Sequence, residues 1–202
     1  MAPDPSSPTI YFGFGSNLWL HQMATRCPTS TYLGVARLNN HKWIINDRGY
    51  ANLVEVGPKS TLTPDYSRVV YGLVYSLLPS DESRLDKNEG VPHAYVKELF
   101  PCDFWASKDG KKVDVTASPT ESGKKMLVYI DRKRRTESTP KEEYVYRMNR
   151  GIEDVVKMGA PEAYVEEVLR KFIPVEGKEE KRKSLEEKAK RQLVDFVDEN
   201  LV

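Results

Sequence analysis

The stretch Val69-Val70-Tyr71-Gly72-Leu73-Val74-Tyr75-Ser76-Leu77-Leu78 is apolar almost without interruption. It is far shorter than the roughly 20 residues a membrane-spanning helix requires. Rich in β-branched and aromatic side chains, it predicts a strand covered on both faces. Around it, short apolar runs alternate with turn signals. Strands are expected over Thr9 to Phe14, Tyr32 to Leu38, Trp43 to Asn46 and Ala51 to Val56, with Asp47-Arg48-Gly49 as a turn. Tyr95 to Trp105, Lys112 to Thr116 and Met126 to Ile130 are further strand candidates. Asn17 to Cys27 has helical spacing at Leu20, Met23, Ala24 and Cys27. Ser80-Asp81-Glu82 offers an N-cap and first-turn acids for a short helix, which Gly90 and Pro92 stop.

Helices take over after Thr139. Thr139-Pro140-Lys141-Glu142 reads as a capping box with Pro at the first helical position. Val145, Met148, Ile152 and Val155 form an apolar stripe, and Gly159 suits a C-terminal cap. Ala160 to Phe172 repeats the pattern with Val165, Val168, Leu169 and Phe172. Many short strands followed by helices point to an α+β fold around a small barrel-like sheet. From Lys178 to Val202, Leu185, Ala189, Leu193 and Val197 recur at helical spacing among Lys, Arg and Glu. That pattern predicts an amphipathic helix packed on its own domain or, in a homodimer, on a second copy. Glu186 and Glu187 interrupt its basic face, which argues against a membrane-surface role.

Composition narrows the function. A formal net charge of +1 over 202 residues gives no global field to recruit nucleic acid or an anionic membrane. The basic run Arg132-Lys133-Arg134-Arg135 reads as a solvated loop. Cys27 and Cys102 cannot make a disulfide framework, and Met1 to Pro8 lacks the apolar core of a signal peptide, so a cytoplasmic location is expected.

Tyr11-Phe12-Gly13-Phe14-Gly15-Ser16-Asn17-Leu18 is the most unusual stretch. Glycines flanking Phe14 let the backbone turn sharply and approach a ligand closely. Consecutive N–H groups leaving a strand for a helix form an anion-binding concavity, and Ser16 and Asn17 add side-chain donors and helix-capping groups. Leu18 stands where a dinucleotide fingerprint needs its third Gly, and no Gly-Lys-Ser/Thr triplet occurs, so a nucleotide site is poorly supported. A tight strand-to-helix turn without a ligand remains an equal reading.

Glu89 ends the short helix of Leu85-Asp86-Lys87-Asn88-Glu89-Gly90-Val91-Pro92. There the carbonyl ends disfavour a negative charge and raise a carboxyl pKa, a useful bias for a group that takes and gives a proton. An exposed surface acid is the plainer alternative. His21, His41 and His93 pair with no other His or Cys at ligand spacing, so no metal site is expected. Neither Cys has a nucleophile signature, and no Gly-x-Ser-x-Gly elbow exists.

Taken together, these motifs resemble the γ-glutamylcyclotransferase family. Phe14-Gly15-Ser16-Asn17-Leu18, after Tyr11-Phe12-Gly13, is similar to its Tyr-Gly-Ser-Asn-Leu signature. Leu85-Asp86-x-x-Glu89-Gly90-Val91 resembles its catalytic-acid segment, and Tyr95 and Tyr144 resemble two tyrosines on its substrate side. Trp43 to Asn52 is similar to a segment of plant and fungal members. Phe14 departs from the usual Tyr, and Gly151-Ile152 from the usual Gly-Ala. The resemblance spans about Thr9 to Phe172. It implies a catalytic domain over 9–174, a charged helical extension over 175–202, and a small mixed β-barrel with flanking helices. It also implies a cofactor-independent cyclisation of a γ-glutamyl compound to 5-oxoproline. Glu89 would be the acid–base residue, and the loop from Tyr11 to Asn17, with Tyr95 and Tyr144, would hold the substrate. Three functions fit: release of amino acids from γ-glutamyl peptides, release of amines from γ-glutamylamines, and non-catalytic binding of an anionic ligand or partner.

Overall fold

The computed structural model describes residues 7–58, 65–176 and 186–192. In chain order the elements are β1 (Thr9–Gly13), α1 (Leu20–Arg26), β2 (Thr31–Asn39), β3 (His41–Ile45), β4 (Ala51–Glu55), β5 (Val69–Leu77) and α2 (Pro79–Asn88). They continue with β6 (Val96–Ala106), β7 (Glu121–Ile130), α3 (Glu142–Met158) and α4 (Glu162–Glu167). Five strands close a barrel in the order β1-β5-β2-β6-β7. Most neighbours are antiparallel, and the barrel closes through a parallel contact at Tyr11 opposite Leu127. The fold is α+β with a small mixed barrel. Closure removes the free edges that an open sheet would expose.

The apolar stretch becomes β5, paired with β1 on one side and β2 on the other, with β3 packed against it. Consecutive residues Val70 to Tyr75 are all buried, so both faces of the strand are covered, which explains its continuous hydrophobicity. β3 and β4 form a separate hairpin across the turn at Asn46–Tyr50, where Gly49 has φ 84° and donates to the Asn46 carbonyl at 2.9 Å. The hairpin sets Trp43 against the Phe14 carbonyl and Tyr50 against the Tyr144 ring.

Several local expectations are corrected. Lys112 to Thr116 is not a strand. Asp114 accepts from the Thr116 N–H at 2.9 Å and the Thr116 hydroxyl at 2.6 Å, and this local turn competes with ladder pairing. The capping box at Thr139 does not form, and α3 begins at Glu142 after Lys141. Ser138 N–H donates to Ile45 O at 2.8 Å and Lys141 N–H to Gly49 O at 3.2 Å, so the segment is held extended against the β3–β4 hairpin. Helix α2 starts one residue before the expected Ser80 cap, because Pro79 occupies its first turn. Ala160 to Phe172 divides into α4 and a 3-10 turn at Leu169–Lys171. Gly159 does cap α3, at φ 115°.

Within the tail, residues 186–192 are helical and Ala189 is fully buried. The tail positions Leu185, Leu193 and Val197 lie outside the described residues. No helix among the described residues is long and apolar enough to cross a membrane.

Candidate active site

At the end of β1 the chain turns through Phe14 and Gly15 into a single 3-10 turn, Ser16–Leu18, before α1 begins. The Trp43 indole N–H donates to Phe14 O at 2.9 Å, Tyr75 Oη donates to Asn17 O at 3.0 Å, and Leu18 N–H closes the turn on Gly15 O at 2.9 Å. Ser16 and Asn17 do not cap a helix, contrary to expectation. Asp154 of α3 does so instead, accepting from the Leu20 N–H at 2.9 Å.

One stripe of α3 governs this loop. Tyr144, Arg147, Gly151 and Asp154 recur at three- and four-residue spacing and therefore share a face. A Cβ on Gly151 would lie 2.9 Å from Leu18 Cβ and 3.1 Å from Trp19 N, so glycine is what lets the helix approach. Tyr144 Oη then accepts both the Ser16 N–H at 3.1 Å and the Ala51 N–H at 3.3 Å. Burial pushes the Tyr144 phenol up to about 12, so it stays protonated at neutral pH. With its oxygen accepting two N–H groups, its own proton is directed elsewhere in the pocket.

These residues surround an open pocket of about 470 Å³, counting its mouth. Of the residues expected at a site, Tyr11, Phe14, Gly15, Ser16, Asn17, Glu89, Tyr95 and Tyr144 line it. Phe12 and Gly13 do not: Phe12 is wholly buried in the core and Gly13 is the last residue of β1. Gly15 has φ −106°, which any residue adopts. Its constraint is contact, since a Cβ would lie 2.7 Å from Tyr144 Oη and 3.2 Å from Ala51 Cβ.

Glu89 caps the C-terminal end of α2. Its Oε1 accepts from Asn17 Nδ2 at 3.1 Å. The residue is part-buried, and burial of the carboxyl is the largest influence on it, raising its pKa. The Arg26 charge, the Asn17 hydrogen bond, Arg147 and Arg48 oppose that rise without cancelling it. Desolvation, more than the helix end invoked from the sequence, therefore biases this acid.

Sequence reasoning missed Arg26, Tyr50, Ala51, Asn88, Tyr129 and Arg147, which also line the pocket. Arg147 is 1% exposed, donates to Ser16 Oγ at 3.0 Å and pairs with Glu143 at 3.0 Å. Arg26 is 5% exposed and donates to Asn17 Oδ1 at 3.2 Å. Burial, followed by the neighbouring Arg147, lowers the Arg26 pKa to about 10, which leaves it cationic at neutral pH. Gln22 Nε2 bridges Ser16 Oγ at 3.0 Å and Asn17 Oδ1 at 2.8 Å. Tyr95 Oη donates to Ala51 O at 2.9 Å, and Arg48 lies over the Tyr95 ring at 5.0 Å. The one available signal was that Arg147 follows Tyr144 by three residues on a helix. Both cysteines are buried, and burial pushes each thiol up to about 12, so neither is a ready nucleophile. A carboxylate that can hold or yield a proton, facing phenol and amide donors and two buried guanidiniums, is equipped for proton transfer on an anionic ligand.

No family model matches the chain. It is 26% identical over 170 residues to bovine γ-glutamylcyclotransferase, covering 74% of this chain and 88% of that protein. It is 25% identical over 176 residues to human γ-glutamylcyclotransferase, covering 78% and 92% respectively. A solved structure of a γ-glutamyl cyclotransferase superposes with a TM-score of 0.62 at 20% identity, covering 91% of this chain and 99% of that one. The chain is thus similar in sequence to these γ-glutamylcyclotransferases over most of its length and shares the fold of the solved one.

Proposed function

We propose that the protein is a γ-glutamylcyclotransferase that converts γ-glutamyl peptides to 5-oxoproline and the free amino acid. The observation that carries this reading is the Glu89 carboxyl, raised in pKa and aimed into the pocket by the Asn17 amide at 3.1 Å. Ionised Glu89 accepts a proton from the substrate's α-ammonium group. The freed amine attacks the γ-carbonyl carbon, a new C–N bond closes the five-membered ring, and the carbonyl oxygen takes the negative charge. Glu89 then returns the proton to the departing nitrogen as the original C–N bond breaks and the carbonyl re-forms. The ring nitrogen, which still carries one proton too many after attack, passes that proton through Glu89 to the released amine, so the products are the neutral lactam and an ammonium group and Glu89 ends ionised. Because nucleophile and electrophile belong to one molecule, ring closure provides the proximity, and the protein supplies orientation and charge stabilisation.

Tyr144 is suited to donate to the developing oxyanion, because its oxygen already accepts two backbone N–H groups. Arg26 and Arg147 give the pocket a positive bias that complements a substrate α-carboxylate. Tyr11, the loop from Phe14 to Asn17 and Tyr95 complete the proposed binding surface. The test is incubation of the purified chain with matched γ-glutamyl dipeptides and γ-glutamylamines, measuring 5-oxoproline and the released amine. Release from the dipeptides supports the reading. Release from the amines alone reassigns the leaving group, and absence of 5-oxoproline from every compound refutes it.

A further inference from the structure

Arg26 reaches in two directions. Its Nη1 donates to Asn17 Oδ1 at 3.2 Å inside the pocket, and its Nη2 donates to the backbone carbonyl of Gln192 at 2.9 Å. Gln192 is the last described residue of the helical segment 186–192, in which Ala189 is 0% exposed and Lys190 pairs with Glu186 at 2.9 Å. This segment is therefore seated on the domain at the outer end of a side chain that lines the pocket.

The inner end of Arg26 decides which way Asn17 faces. Asn17 Oδ1 accepts from Arg26 and from Gln22 Nε2 at 2.8 Å, so its Nδ2 must point away from both. Nδ2 donates instead to Glu89 Oε1 at 3.1 Å and Tyr11 Oη at 2.9 Å. A flipped amide would set its NH₂ against two donors and lose both bonds. The chain of contacts from the tail to the acid is thus Gln192 carbonyl, Arg26, Asn17, Glu89.

We propose that the segment 186–192 is a positioning element for Glu89, acting through Arg26 and the Asn17 amide. This rests on the reaction proposed above and deepens it. A buried arginine has several rotamers and a high desolvation cost, and a fixed carbonyl at its outer end selects the one that reaches Asn17. Removing that carbonyl takes away a contact that fixes the outer end of the guanidinium. A displaced guanidinium weakens the donor that orients Asn17 and the charge that most favours ionised Glu89.

The groups facing Glu89 sort cleanly by charge. Arg26 of α1, Arg48 of the β3–β4 turn and Arg147 of α3 are the cations that favour its ionised form. Tyr11, Tyr95, Tyr129 and Tyr144 are phenols kept protonated by burial. Losing the grip on Arg26 therefore makes Glu89 harder to ionise, and the acidic limb of the rate profile moves to higher pH.

The experiment uses the full chain. Ala189→Asp puts a charge into the buried seat of the segment, and Ala189→Leu does the same with bulk alone should the charged variant fail to fold. Lys188→Asp, on the exposed side, is the control. Two readouts are taken: the pH dependence of 5-oxoproline release, and the titration of the Glu89 carboxyl by carbon NMR, assigned with Glu89→Gln. The expected result for either Ala189 variant is an upward shift of about half a pH unit in both readouts. kcat/KM near neutral pH should fall by roughly tenfold, with Lys188→Asp unchanged. In an Arg26→Ala background, which should show the same shift alone, the Ala189 substitutions should add nothing. An unchanged Glu89 titration in folded Ala189 variants overturns the proposal, as does a shift that persists in full without Arg26. If the parent protein releases no 5-oxoproline, the proposed reaction fails, and the NMR titration alone still decides this inference.

Discussion

The side-chain amide of Asn17 donates to Glu89 at 3.1 Å while its oxygen is held by Gln22 and Arg26. Residues far apart in the chain thereby act as one unit. Asn17→Asp keeps the shape and the two donors on Oδ1 but removes the donor to Glu89 and sets a like charge beside it. Glu89 should become harder to ionise, with the acidic limb of the pH–rate profile moving up by about one unit or more. Steady-state 5-oxoproline release between pH 5 and 9 measures this; an unmoved limb would mean that Asn17 does not tune the acid.

Gly15 and Tyr144 should be coupled by contact. Because Gly15 has an ordinary φ, Gly15→Ala should cost about 1–3 kcal/mol through collision with the Tyr144 hydroxyl. Tyr144→Phe removes that hydroxyl but deprives the Ser16 and Ala51 N–H groups of their acceptor, at about 1–3 kcal/mol. The double variant should be less destabilised than the sum by about 1 kcal/mol, as read from denaturant midpoints. Strict additivity would contradict the contact.

How much of this was legible beforehand depends on which face of an element was read. The apolar positions Val145, Met148, Ile152 and Val155 on α3 announced a core-facing stripe. On the adjoining stripe, which organises the pocket, Tyr144 and Gly151 are picked out by the resemblance, whereas Arg147 and Asp154 are not, because Arg and Asp on a helix ordinarily mark a solvated face. Glu121 to Lys125 of β7 were missed for a similar reason, since their polar side chains are mostly exposed and carry no alternation. The loop and Glu89 stood out because glycine spacing and an acid at a helix end are local features. Arg26, Tyr50 and Tyr129 come together only through barrel closure and hairpin docking, which no local window contains. The cap expected at Thr139 failed for the same reason: hydrogen bonds to Ile45 and Gly49, distant in sequence, hold that segment extended.

The raised pKa of Glu89 also predicts a stability effect. Its native pKa lies above the unfolded value, so the native state binds more protons between the two. Stability attributable to this group is therefore lost as pH rises through that window. Glu89→Gln, which cannot ionise, should melt at a higher temperature than the parent at pH 7. The gap should close as pH falls below about 4, where Glu89 becomes protonated in both states. Calorimetry across this range checks it, and a less stable Glu89→Gln at pH 7 would contradict the sign.

The central claim is that Glu89 moves the proton in ring closure. The most direct measurement is 5-oxoproline formation from a γ-glutamyl dipeptide by Glu89→Gln beside the parent, with circular dichroism establishing that both are folded. Gln keeps the shape and can still accept from Asn17, but it cannot take a proton from the α-ammonium group. A folded variant slowed by roughly 10²–10⁴ in kcat is the predicted result. Near-parental 5-oxoproline release from that folded variant would contradict the account.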